Sequence, residues 1–75
     1  MTHEFTIIIE RDPESDWLVG SVAELPGCYS QAATLADLEA NMREAIEAYL
    51  ETLDDQEAQG PFPTFVGVQR VEIAV

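Results

Sequence analysis

A single apolar stripe constrains this chain more than any other feature. Leu35, Leu38, Met42, Ile46, Tyr49 and Leu53 recur at spacings of 3, 4, 4, 3 and 4. That places them on one side of an α-helix about five turns long. Thr34 precedes the stripe as an N-cap, with Asp37 three residues on in a variant of the capping box. Glu39, Glu44, Glu47 and Glu51 fall on the opposite, solvent side, and the helix is expected to end between Leu53 and Asp55. One helix covers one face of a small sheet, so the other face is left open.

The flanking segments read as strands. Phe5, Ile7 and Ile9 alternate with Thr6, Ile8 and Glu10, the period of a strand. The turn formers "RDPESD" reverse the chain, and Trp17–Glu24 is a second strand, with Gly20 marking a bulge or a close backbone approach. Leu25-Pro26-Gly27 turns again, since Pro fixes φ and Gly permits a positive one. Cys28–Gln31 makes a short third strand. After the helix, "DDQEAQGPFP" is predicted to be a polar loop, followed by a last strand over Phe65–Val75. The expectation is an α+β fold in the order βββαβ, one domain over residues 1–75. Its four-stranded mixed sheet has the order 3-2-1-4, with the first strand central and the last parallel beside it. Ile8, Val66 and Val68 would lie on the uncovered face, a surface that invites a partner.

Length adds a second bound. A chain of 75 residues buries only about 60–65% of its unfolded surface, so a homo-oligomer is expected. The N-terminus lacks the pattern of a signal peptide, and no segment approaches a membrane span, which predicts a soluble, cytoplasmic protein without a membrane partner.

Charge narrows the partners. Fifteen Asp and Glu face three Arg and no Lys, a formal net charge of −12. Such a chain repels nucleic acid, because phosphate binding depends on cations. It suits a basic partner, although an acidic surface also serves solubility alone.

No catalytic constellation emerges. Cys28 is the only cysteine and His3 the only histidine. A cysteine nucleophile needs a base, and nothing in the spacing brings His3 to it. Cys28 is therefore read as a small buried hydrophobe. His3 alone does not make a zinc site, so neither metal nor cofactor is expected. A two-metal nuclease would need carboxylates on the central strand, where only Glu10 is available.

Two acidic groups remain as partner-binding candidates. Glu51, Asp54 and Asp55 crowd the expected helix C-terminus, where anions oppose the macrodipole, and Glu57 continues the run. Reversing the first three charges is expected to raise stability and weaken a cationic partner. Asp12, Glu14, Asp16 and Trp17 form the second group on the first reversal. Trp17 is a candidate interface anchor, but its first reading is packing against the core.

The segments "DPESDWLVGSVAELPGCYSQAAT" and "TLADLEANMREAIEAYLE" resemble the HicB-like antitoxin family. The markers are the Leu25-Pro26-Gly27-Cys28 corner and, six residues later, Thr34 with its Leu-rich acidic helix. The resemblance covers nearly the whole chain. It implies a truncated ribonuclease-H-like fold without catalytic carboxylates, and a non-enzymatic protein that occludes the active site of a small basic, HicA-like, mRNA-cleaving toxin. Many members also carry a C-terminal DNA-binding domain. This chain ends at Val75, straight after the last expected strand, so promoter binding by this chain alone is not expected, in agreement with its charge. Ala32 and Ala33 stand where a Gly is usual, a small backbone adjustment that bears on no function. The alternative is a stand-alone homo-oligomer that binds a protein or small ligand across its open sheet face.

Overall fold

A computed structural model describes residues 3–75. Three strands form an antiparallel meander: β1 (Ile7–Arg11), β2 (Leu18–Val22) and β3 (Tyr29–Ala32). Ile9 pairs with Gly20 and Ile7 with Val22, while Gly20 pairs with Ser30 on the other side. The long helix α1 (Leu35–Glu51) packs across β2 and β3, and a one-turn helix, α2 (Asp55–Ala58), follows it.

Local chemistry explains where the elements begin and turn. The Thr34 hydroxyl accepts a 3.2 Å hydrogen bond from the Asp37 amide, capping α1 as expected. At the β2–β3 corner the Cys28 amide donates to the Leu25 carbonyl at 3.0 Å. Pro26 and Gly27 occupy the central positions of that turn, and Gly27 has φ +85°, the geometry of a type II turn.

The core lies between α1 and the β2–β3 half of the sheet. Val22, Leu25, Cys28, Ala32, Leu38 and Met42 are buried, with Leu38 and Met42 only 1% and 0% exposed. Gly20 is the close approach expected from the sequence. A Cβ there would sit 2.9 Å from the Met42 sulfur and 3.2 Å from Ile7, so the absent side chain lets α1 settle onto β2.

Four expectations are corrected. The sheet has three strands, because Phe65–Val75 pairs with no other segment among the described residues. Strand structure is a property of a pair, and an alternating sequence without a neighbouring edge remains merely extended. As a result β2 is central and β1 is an edge strand. The segment expected to be a polar loop contains α2, which nucleates on a complete capping box: the Asp54 side chain accepts from the Glu57 amide at 2.7 Å, and the Glu57 side chain accepts from the Asp54 amide at 3.2 Å. Finally, Leu35, the first residue of the apolar stripe, is 59% exposed, because no strand lies beyond β1 to cover it.

Candidate partner-binding surface

The two acidic candidate groups lie at opposite ends of the sheet. Asp12, Glu14, Asp16 and Trp17 occupy the β1–β2 connection. Glu51, Asp54, Asp55 and Glu57 follow the end of α1, whose Tyr49 hydroxyl donates at 3.1 Å to the Pro26 carbonyl in the β2–β3 corner. In a meander these two corners are separated by the length of β2, so the fold does not unite the groups into one site.

Within the first group the acids divide into two kinds. Asp12 organises the reversal: its carboxylate accepts from the Glu14 amide at 3.1 Å and from the Ser15 hydroxyl at 2.9 Å, an Asx turn. The hydrogen bond from the Glu14 amide, then that from Ser15, holds the Asp12 carboxyl below the usual aspartate range. Asp16 takes φ +64° and lies 3.6 Å from the Arg11 guanidinium, which also donates to the Asp16 carbonyl at 3.0 Å. Glu14 is exposed, and its carboxylate takes part in no ion pair among the described residues. Trp17 is 44% exposed and is not among the side chains packed on the core. That overturns its first reading and leaves an indole edge beside three acids.

The second group behaves differently from the sequence expectation. Since α1 ends at Glu51, Asp54 and Asp55 belong to the N-terminus of α2, where the dipole favours them. Glu51 sits in the last turn of α1, which holds no basic residue. Asp54 and Glu57 use carboxylate oxygens on each other's amides, and both line an open cleft of about 430 Å3 with Glu24, Tyr49, Leu53 and Phe62.

Glu24 was not singled out from the sequence, yet it is the buried charged residue of this surface. Its carboxylate accepts from the Thr6 amide at 2.7 Å and ties the start of β1 to the β2–β3 corner. Burial pushes its carboxyl up. Hydrogen bonds from the Thr6 backbone and side chain, and from its own amide, together outweigh burial and hold it below the usual glutamate range. Its partner is 18 residues away, and no local pattern announces such a contact.

Cys28 is buried at the head of β3, and burial raises its thiol pKa, which disfavours the thiolate a nucleophile or metal ligand requires. His3 packs edge-on against Phe62, with ring centroids 5.4 Å apart. Among the described residues no three His, Cys, Asp or Glu side chains gather as a metal-binding group, and no helix is long and apolar enough to cross a membrane.

The chain is thus a small α+β domain whose surface is acidic and whose conspicuous exposed groups are carboxylates, an indole and an apolar edge. Residues 5–72 match the family model described as HicB_like antitoxin of bacterial toxin-antitoxin system. The chain belongs to that family. Three similar proteins carry only the name UPF0150. One from Archaeoglobus fulgidus is 43% identical over 70 residues, spanning 93% of this chain and 94% of its own. One from Synechocystis is 37% identical over the same shares. One from Thermotoga maritima is 33% identical over 69 residues, 92% of this chain and 88% of its own. No solved structure matches. Family membership supports an antitoxin role and points away from enzymatic activity.

Proposed function

We propose that this protein is a non-enzymatic antitoxin that binds a small basic toxin and occludes its active site. The observation that carries the reading is charge on a framework of antitoxin type. Of three arginines in a chain of net charge −12, Arg11 and Arg43 are already paired, with Asp16 and with Glu39 at 3.3 Å. The surplus of carboxylates therefore has almost no internal counterpart. Such a field steers a cationic partner into encounter and weakens with ionic strength.

The contact residues we assign are Glu14 and Trp17, positioned by Asp12 and Asp16, and Glu51 and Asp55, flanked by Asp54 and Glu57. Trp17 would supply apolar anchorage within an acidic rim. The partner is a HicA-like RNA-cleaving protein, the fold is a truncated ribonuclease-H-like domain over residues 1–75, and the compartment is the cytoplasm. The acidic surface makes direct nucleic-acid binding by this chain unfavourable. Homo-oligomerisation belongs to the same reading, for a core this small gains from a second copy.

The test is capture from lysate of the source cells on the tagged protein, with a rising salt elution and mass spectrometry of what is released. A small basic protein near one-to-one, eluted by salt, is the expected result. Glu14→Lys with Trp17→Ala, or Glu51→Lys with Asp55→Lys, should weaken its retention at least tenfold. Recovery of the bait alone would overturn the toxin-binding reading.

A stand-alone oligomeric module is the second reading. It is favoured by the unpaired β1 edge and the exposed apolar residues beside it.

A further inference from the structure

Among the described residues the outer edge of β1 pairs with no strand, and an open groove with an apolar floor runs beside it. One part, about 180 Å3, lies between Ile7 and Ile9 of β1 and Leu35, Leu38 and Met42 of α1. A second, about 280 Å3, continues past Ile7 toward Phe5 and Ile46 and is polar in part, lined also by His3, Glu39, Arg43 and Glu47. Ile9 is 47% exposed there, although its partner across the sheet, Gly20, is buried. Both cavities occupy the place where a further strand on β1 would set its inward side chains.

The same chain carries a strand without a place. Val66, Val68, Val71 and Ile73 are 70–95% exposed, and the backbone beyond Phe62 pairs with no strand among the described residues. Val71, Ile73 and Val75 share one face at period two, while Val66 and Val68 share the other. The root of the segment is fixed, since Phe62 packs edge-on against Phe5 at 5.4 Å. From there the chain runs outward. The radius of gyration is 14.2 Å and the long axis 44 Å, against about 11 Å expected for a compact chain of this length.

We propose that Phe65–Val75 of one copy pairs along the β1 edge of a second copy, reciprocally. Val71 and Ile73 then fill the groove between Ile9 and Leu35 of the second copy. Each chain holds one donor strand and one acceptor edge, so a two-fold arrangement pairs both and closes the assembly at two copies. Strand addition completes a ladder through main-chain hydrogen bonds, and alternate side chains supply the fit. Val66 and Val68 then face the same side as Ile8, the sheet face not covered by α1. The inference deepens the homo-oligomerisation that belongs to the antitoxin reading, and the mass and cross-link that test it do not depend on whether a toxin binds.

The experiment uses the full chain. Light scattering after size exclusion should give twice the 8.3 kDa chain mass. Val71→Asp with Ile73→Asp should halve that mass while the helical circular dichroism persists, since neither residue belongs to the core. Leu35→Cys and Ile73→Cys, placed on two differently tagged copies, should form an inter-chain disulfide on mild oxidation. Three results would each overturn the proposal: a single-chain mass for the unaltered protein, a dimer without the 35–73 cross-link, or a disulfide formed within one chain carrying both cysteines at high dilution.

Discussion

The two flanks of α1 are built from similar residues and reach opposite ends. On the β2–β3 flank, Val22, Cys28 and Ala32 are buried together with Leu38 and Met42, whose other sides form the floor of the groove beside β1. On the β1 flank, Ile7, Ile9 and Leu35 are likewise apolar but line an open groove, with Ile9 and Leu35 exposed. The difference is one missing strand. Apolar side chains on an edge are buried only as far as the next element permits, so the closed flank carries the stability of the single chain. The open flank holds what a second body can add.

The largest test of that contrast is truncation on each side. Met42→Ala removes a fully buried side chain and should cost about 2–5 kcal/mol in urea unfolding. Leu35→Ala, on the same helix, should change stability by no more than about 0.5 kcal/mol at high dilution. Raising the protein concentration should enlarge the second loss and leave the first unchanged, if another copy fills the groove. Equal losses at high dilution would show that the two flanks do not differ.

The same contrast separates what was legible in the sequence from what was not. The body of the helix, its Thr34 cap, the Leu25–Gly27 corner and the close approach at Gly20 all rest on local spacing and stand, while the helix ends at Glu51, short of the expected Leu53–Asp55. The closed flank needed little more. The fourth strand was misplaced because alternation in Phe65–Val75 specifies a strand without specifying its partner. Leu35 was read as core for the same reason. Asp54 and Glu57 carried a readable capping pattern, but four helical residues in a polar stretch give no apolar periodicity to support it. Trp17 was a candidate anchor whose competing reading, packing against the core, rested on residue type alone, whereas its place on the hairpin leaves it exposed. Glu24 was invisible because its contact with Thr6 is long-range.

Glu24 gives an intermediate test, on the closed side of the molecule. Its carboxyl is held below the usual glutamate range in the folded state. The stabilisation is therefore present above that range and lost as pH falls through it and below. Glu24→Gln should cost about 1 kcal/mol near neutrality, the difference between a charged and a neutral acceptor. It should also flatten the acid limb of stability against pH. Asp12 shifts in the same direction but sits on the exposed turn, so Asp12→Asn should alter that limb less. A steeper limb in Glu24→Gln would contradict this assignment.

The smallest effect separates two neighbouring acids by sign. Glu51 lies in the last turn of α1, where its charge opposes the helix dipole, while Asp55 opens α2, where the dipole favours it. Glu51→Lys should therefore raise stability by about 0.3–1 kcal/mol at low ionic strength. Asp55→Lys should lower it, by no more than the same amount because α2 has a single turn. Salt should shrink both changes. If a basic partner docks on this end of the molecule, both substitutions weaken it, since each removes a negative charge and adds a positive one. Opposite signs in unfolding combined with the same sign in binding would distinguish a surface retained for a partner from one that serves the fold alone. Matching signs in unfolding would mean that the boundary between α1 and α2 lies elsewhere.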